Sequence, residues 1–352
     1  MQPKKKSNHY VPKFYMKNFS NNLKSIGLYL VNKKKYCKDA SIRDQACKDY
    51  LYGEEDTTVE DLLMNIEGES AEVIKNIITK TSLPSLDSKE YQMLLLFMLI
   101  SEARSLRTAD SQNNLIDTQM RTILKMDKNI DIPESQIDNY KVSLKIPNLA
   151  SIRVAFEIYP ILFDLKCTIL INKTDRMFIT TDNPLVKYNL MYVQRQYTLR
   201  GYGLGNMGIQ LFLPISPKLC ICVFDQYVYD YSCNGYGNIE IHKGRHIDEL
   251  NRLFYLNSYE TLFFNNLVSE KYINRLISEG RNINIENEVA TFGEQYNKLI
   301  AYSPRKVTER INLSFFKMRK EFFQMPLPMH MAGPMRPYAK KFSDELSKKK
   351  SD

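Results

Sequence analysis

Hydrophobic residues follow helical spacing in some segments of this 352-residue chain and form strand-like runs in others. Residues 59–78 and 89–108 carry apolar side chains at helical spacing, and the second stretch is apolar on every side over residues 93–100. The middle of the chain instead has β-branched and aromatic runs between turn residues, at 166–172, 177–181, 209–216 and 219–231. Helical spacing returns over 247–258 and 260–280. The pattern predicts an α+β fold, with a central, mainly antiparallel sheet flanked by N-terminal and C-terminal helices.

The two ends of the chain differ in composition from the body. Residues 1–7 form a lysine-rich leader, and residues 325–337 read MPLPMHMAGPMRP, which is typical of a linker. The basic residues after it favour a disordered tail. We therefore expect one α+β domain over 1–324, with its basic leader, followed by a Pro/Met-rich linker and a basic disordered tail over 325–352.

Composition and charge narrow the class of protein. The formal net charge is +9, and the two ends supply six of these charges. Solvated tails of this kind can attract phosphates in a salt-sensitive way without forming a site, so nucleic acid is a candidate partner. The longest apolar run is too short to cross a bilayer, the N-terminus has no signal-peptide core, and the six cysteines follow no disulfide or CxxC pattern. We expect a soluble protein of the bacterial cytoplasm that does not contact a membrane.

The most suggestive stretch for chemistry is FITTDNPLV, residues 178–186. Its strand stops at Asp182 and Asn183 because Pro184 has no N–H to donate. A rigid strand end followed by an accessible loop is a common place for catalytic groups. Asp182 is a candidate base or metal ligand, and Asn183 a candidate for holding a substrate oxygen. The alternative is an Asx-turn that only ends the strand.

A second group of candidates lies earlier in the chain. His9, which is followed by Tyr10, is a candidate general acid or base, or else a cap or packing residue. Arg104 and Arg107 are three apart at the end of the second helix, where they could clamp a phosphate or form a structural ion network with Glu67 or Glu102. Glu67 is a candidate metal ligand together with Asp182, although a helical glutamate is more often solvated.

Three further patterns favour structural roles. Cys220 and Cys222 point to one face of a strand, which predicts core positions. His242 and His246 have the spacing of a metal pair, but Gly244 separates them, which argues against zinc. The glycine-rich GYGLGNMG at 201–208 lacks the ending of a phosphate-binding loop, so a mobile loop or lid is the better interpretation.

Several segments occur in an order that resembles the domain-of-unknown-function 4238 family over about residues 8–275: HYVPKFYMKNF, IEGESAEVIKNI, FMLISEARSLRT, FITTDNPLV, LFLPISPK and IDELNRL. HYVP and the T/S-D-N-P element are the most specific. The resemblance implies recurrent polar positions at His9, Glu67, Arg104, Arg107, Asp182, Asn183 and Asn251. Ser101 and Glu102 stand where a glutamine is expected. The family brings no established reaction with it.

Two classes of function follow. The first is a phosphodiester hydrolase, a nuclease-like bacterial effector in defence or toxicity, with His9, Asp182 and Asn183 as catalytic residues. Arg104, Arg107, Tyr10 and Asn251 would bind the substrate, and Asp182 and Glu67 would hold Mg²⁺ or Mn²⁺. The second is a non-catalytic component of a larger complex that binds nucleic acid through its basic tails, or binds a protein partner or a second copy of itself. The enzyme hypothesis requires the three polar segments to meet in an open cleft.

Overall fold

The computed structural model describes residues 7–53, 57–126, 132–196, 201–280, 289–292, 299–302, 307–326 and 333–351. Its strands are β1 (Ser7–His9), β2 (Ser25–Leu30), β3 (Lys35–Ser41), β4 (Cys47–Asp49), β5 (Lys166–Asn172), β6 (Thr180–Thr181), β7 (Val186–Tyr188), β8 (Gln210–Pro214), β9 (Leu219–Phe224), β10 (Tyr229–Tyr231), β11 (Ile239–Ile241), β12 (Thr261–Phe264), β13 (Val289–Phe292), β14 (Leu299–Tyr302) and β15 (Phe316–Met318). Its helices are α1 (Lys13–Lys17), α2 (Thr58–Lys80), α3 (Lys89–Ala103), α4 (Leu106–Met126), α5 (Glu134–Ile137), α6 (Leu149–Ile158), α7 (Leu190–Gln194), α8 (Gly244–Asn257), α9 (Glu270–Ile277), α10 (Lys320–Gln324) and α11 (Pro337–Ser351).

Two sheets organise the strands. The five-stranded sheet has the order β11-β5-β9-β8-β7, and only its β11–β5 pair is parallel. The four-stranded sheet has the order β3-β2-β12-β6 and is antiparallel throughout. Short antiparallel pairs, including β1 with β4, complete the pattern. The α+β fold class is therefore confirmed, with several mostly antiparallel sheets in place of one central sheet.

Strands that are buried on both faces explain the continuous apolar runs in the middle of the chain. Every residue of β8, β9 and β12 is buried. Cys220 and Cys222 on β9 are fully buried, so the prediction that they are core residues is confirmed. Residues 261–264, TLFF, were expected to be helical but form β12, because they pair with both β2 and β6. The helix that follows begins only at Glu270, after the Ser269 side chain accepts a bond from the N–H of Tyr272.

The long helices follow the sequence pattern, except at one break. The middle of α3 is buried on all sides, as the continuous apolar run predicts. However, α3 ends at Ala103 and α4 begins at Leu106, so Arg104 and Arg107 do not share one helix face. Asn148 fits this break, since its amide donates to the carbonyls of Ala103 (2.8 Å) and Ser105 (3.0 Å). No helix of the described ranges is both long and apolar enough to span a bilayer.

The C-terminal segment differs from the predicted disordered tail. Residues 337–351 form α11, and Arg336 just before it is only 2% exposed. Arg336 binds both carboxylate oxygens of Asp164 (2.9 and 3.1 Å) and the carbonyls of Ile161, Leu204 and Asn206. Because the carbonyls of Leu204 and Asn206 belong to the glycine-rich loop, Arg336 also holds this loop. The N–H of Gly208, in the same loop, donates to Asp225 (3.0 Å). These contacts anchor residues 204–208 against the body, where the sequence predicts a mobile lid.

Candidate functional site

His9 lies at the end of β1, in a cleft between the first strands and helix α2. Its Nδ1 lies 3.0 Å from the carbonyl oxygen of Gln45, just before β4. A carbonyl oxygen can only accept, so Nδ1 carries the proton of the neutral ring and the basic lone pair is on Nε2. The half-buried ring is therefore oriented by the backbone, with Nδ1 as the donor.

Arg104 forms the inner wall of this cleft. Its side chain is buried, and Nη1 pairs with Oε1 of Glu67 at 2.7 Å. Nη2 donates to the carbonyl of His9 (2.5 Å), and Nε donates to the hydroxyl of Tyr52 (3.3 Å). Burial by itself lowers the pKa of Arg104, but Tyr52 and Glu67 outweigh it, and the net shift is upward. A permanent positive charge therefore lies directly behind the backbone of His9.

The cleft has a volume of about 100 Å³. Among the residues that the structure describes, its charged lining comprises two cations, Lys13 and Arg104, and two acids, Glu60 and Glu67. Asn8, His9 and Tyr52 also line it. Sequence reasoning missed Asn8, Lys13, Tyr52 and Glu60. Tyr52 lies 52 residues from Arg104 in the chain, and no local sequence pattern predicts a contact between them. The result is a small polar cleft with a histidine, carboxylates and cations together.

Asp182 lies in a different environment, which we call the Asp182 turn (Asp182 and residues 259–261). Its carboxylate accepts bonds from the backbone N–H groups of Tyr259 (2.8 Å), Glu260 (2.6 Å) and Thr261 (2.9 Å), and Asp182 is only 1% exposed. A buried carboxylate with three N–H donors is a structural clamp. Asp182 is not among the lining residues of the His9 cleft.

Asn183 and Asn251 also hold backbone segments together. Asn183 is buried, and its amide donates to the carbonyl of Asn257 (3.2 Å), while Asn257 donates back to the carbonyl of Asn183 (2.7 Å). Asn251 is fully buried, accepts from the N–H of Ile179 (3.0 Å) and donates to the carbonyl of Met177 (2.8 Å). These contacts fix α8 to the strand end, and none of the three asparagines lines the cleft.

Tyr10 and Arg107 lie outside the cleft lining as well. The pKa of Tyr10 is raised, first by burial and then by the negative charge of Asp182. Arg107 is buried in the first turn of α4, beyond the helix break. The structure therefore brings His9, Arg104 and Glu67 together and separates them from the other predicted site residues, none of which lines the cleft.

The predicted metal pair of Asp182 and Glu67 is divided in the same way. Glu67 pairs with Arg104, whereas Asp182 is clamped by backbone N–H groups. Within the described part of the chain, no group of three or more His, Cys, Asp or Glu side chains is placed to hold a metal ion. His246 is buried against Phe315, and His242 is mostly exposed beside Glu240, which agrees with the argument against a zinc pair.

Fold and cleft together define a class: an α+β protein with a small histidine-containing polar cleft at its N-terminal side. The chain belongs to the DUF4238 family, described as proteins of unknown function, whose model matches residues 7–267. The resemblance found in the sequence is thereby confirmed. No curated protein and no solved structure matches the chain.

Proposed function

We propose that the chain is a phosphodiester hydrolase of the nuclease type and that the His9 cleft is its active site. The observation that carries the proposal is the bond from His9 Nδ1 to the Gln45 carbonyl, because it directs basicity to Nε2. A bound water gives up a proton to Nε2 and attacks phosphorus. The P–O ester bond breaks, and the leaving oxygen takes a proton from solvent.

The other lining residues have supporting roles in this proposal. Lys13 and Arg104 supply positive charge for the phosphate and for the negative charge that develops during attack. Arg104 acts as a fixed charge in the wall, because each of its guanidinium nitrogens already bonds to Glu67, His9 or Tyr52. Glu67 orients Arg104. Asp182, Asn183 and Asn251 are left out of the chemistry because they hold buried backbone.

The cellular setting belongs to the proposal too. We keep the expectation of a bacterial effector that acts in the cytoplasm in defence or toxicity, which rests on analogy with uncharacterised bacterial proteins. The requirement for Mg²⁺ or Mn²⁺ is left to the experiment, since Glu67 is the one proposed ligand that lines the cleft.

The test compares wild type with His9→Gln and with His242→Gln as a matched control on an exposed histidine. Labelled RNA, single-stranded DNA and duplex DNA are incubated with each protein, with Mg²⁺, with Mn²⁺ and with a chelator. We expect His9→Gln to lose about 10²–10⁴-fold in rate and His242→Gln to keep the wild-type rate, at equal thermal stability. Wild type that cleaves none of the substrates would overturn the hydrolase proposal. Equal cleavage by His9→Gln would move the active site elsewhere.

A second candidate is nucleic-acid binding without cleavage. The observation that favours it is α11, whose exposed lysines are carried on a helix anchored through Arg336. Lys348→Gln with Lys349→Gln should then weaken RNA and DNA binding and reduce its salt dependence, with no change in the unfolding midpoint. Unchanged binding at low salt would remove this candidate. Sedimentation of the same samples reports whether a second copy of the chain is bound.

A further inference from the structure

The C-terminal segment, residues 333–351, binds to the body at a place that we call the docking site (residues 161–164 and 203–207). The two backbones are joined by two hydrogen bonds and one antiparallel bridge: Met207 N–H to the Pro334 carbonyl (2.9 Å), Arg336 N–H to the Gly205 carbonyl (2.9 Å), and Asn206 opposite Met335. The segment is therefore held as a short added strand. In this mode of recognition the main chain supplies affinity and enclosed side chains supply specificity.

Arg336 is the side chain that the docking site encloses. It is buried, and all five N–H donors of its guanidinium are bonded. Nε and one N–H of Nη2 donate to the Asp164 carboxylate. The other three donate to backbone carbonyls: Ile161 (2.7 Å), Leu204 (2.7 Å) and Asn206 (3.1 Å). A lysine has three donors and no planar fork, so these acceptors are arranged for arginine and not for positive charge alone.

The docking site depends on the segment but not on the chain that connects them. These hydrogen bonds join residues at least 127 apart in sequence, so the same contacts form with a segment from another copy of the chain. Without the segment, the mostly buried Asp164 carboxylate and the three carbonyls lose their donors, which favours a replacement arginine. Apolar packing adds to the fit, since a Cβ atom at Gly205 would lie 2.8 Å from Met335 and 3.3 Å from Ala339.

We propose that the docking site is a peptide-binding site for an extended segment with an arginine, and that it takes the C-terminal segment of a second copy of the chain in exchange for its own. Exchange replaces each contact with an identical one, so its main cost is the lost freedom of the second copy. Arg336 selects the docking site, and Asp164 is its main partner. The inference does not depend on the proposed hydrolase function.

The first arm of the test measures peptide binding by fluorescence anisotropy. A labelled peptide of residues 333–351 is titrated into the full-length Arg336→Met protein, whose docking site keeps its acceptors while its own segment lacks the arginine. We expect this peptide to bind, and the same peptide with Arg336→Lys, which keeps the charge, to bind about 100-fold more weakly or worse. Arg153→Met, at a mostly exposed arginine, is the control, and its own segment should compete with the peptide. No binding, or equal binding of both peptides, would overturn the proposal.

The second arm mixes two full-length variants. Arg336→Met keeps the docking site, and Asp164→Asn keeps the segment with its arginine. We expect the mixture to sediment as a complex of the two chains and each variant alone to sediment as a monomer. A mixture that remains monomeric would overturn exchange between copies. If either variant fails to fold, wild type labelled with a donor is mixed with wild type labelled with an acceptor. Energy transfer that unlabelled peptide 333–351 reverses is then expected, and its absence would overturn the proposal.

Discussion

His9 and Tyr10 are neighbours in the chain but belong to two different polar regions. The His9 cleft contains an acid, Glu67, whose side chain is 29% exposed and which pairs with Arg104. The Asp182 turn contains an acid that is 1% exposed and is bonded to three backbone N–H groups. Both acids stand out in the sequence for the same reason, as carboxylates in segments that define the family pattern.

The two carboxylates differ in how far their hydrogen-bond partners leave them open to a ligand. Three backbone donors on one buried carboxylate stabilise a turn and leave the carboxylate without access to a ligand. A carboxylate at the edge of a cleft, tied to one arginine, leaves a histidine and a lysine facing the same space. At the strand end that the sequence singles out for chemistry, the Asp182 carboxylate is thus used to satisfy backbone N–H groups.

The largest expected effect is the loss of folding stability when Asp182 in the Asp182 turn is replaced. Asp182→Ala removes the buried acceptor of three backbone N–H groups, and we expect the free energy of unfolding to fall by about 3–5 kcal/mol. Asp182→Asn should lose less, because the amide oxygen still accepts. Urea unfolding measures both, with Asp175→Ala as an exposed control that changes stability by less than about 0.5 kcal/mol. A stable but inactive Asp182→Ala protein would return Asp182 to the chemistry.

A smaller loss is expected at the wall of the cleft. Arg104→Met leaves the carbonyl of His9 and the Glu67 carboxylate without their buried donor, so unfolding should require about 2–3 kcal/mol less. Arg153→Met, at a mostly exposed arginine, is the control. The prediction fails if Arg104→Met unfolds at the wild-type urea concentration, which would make the arginine available for direct substrate binding.

Removal of the Tyr52 hydroxyl is a smaller change in the same cleft. Tyr52→Phe deletes the acceptor of the Arg104 Nε bond and keeps the ring that packs near the guanidinium. We expect a loss of about 1 kcal/mol in the free energy of unfolding and a modest fall in cleavage rate. Tyr236→Phe, at a tyrosine that is 92% exposed, should change neither quantity. An equal loss in both variants would show that the Tyr52 hydroxyl contributes nothing specific.

Helices α2 and α3 could be predicted from the sequence because their signals are local. The helix break at Arg104 could not, since Asn148 stabilises it from 45 residues away. The only local sign is Ser105, whose hydroxyl accepts from the N–H of Thr108 at the start of α4. Strand β12 was misread because a run of four residues, TLFF, is too short to show a period, and its pairing with two neighbouring strands decides its structure. Arg336 pairs with Asp164, which is 172 residues away in the chain, and composition cannot predict this contact.

Contacts between segments far apart in the sequence also explain why only some of the candidate residues lie in the cleft. His9, Arg104 and Glu67 were among the sequence candidates and share the cleft, and their grouping depends on β1 pairing with β4 and on the end of α3. Tyr10, the residue after β1, does not line the cleft. Residue type and spacing therefore pointed to three of the residues that line the cleft, and the strand pairing decided which candidates share it.

The smallest expected effect concerns a histidine outside the cleft. His246 in α8 is buried, and burial, followed by the charges of Arg245 and Lys243, lowers its pKa below the ordinary value near 6.5. As pH falls through about 6.5, the unfolded chain takes up the proton before the folded chain does, so this histidine reduces stability on the acidic side and has no effect well above pH 7. His246→Gln should flatten the decline in urea midpoint between pH 8 and pH 5.5, whereas His242→Gln should not. A decline that persists in His246→Gln would assign the acid sensitivity to other groups, and the His9 ring in the cleft, oriented by the Gln45 carbonyl, would be the next histidine to replace.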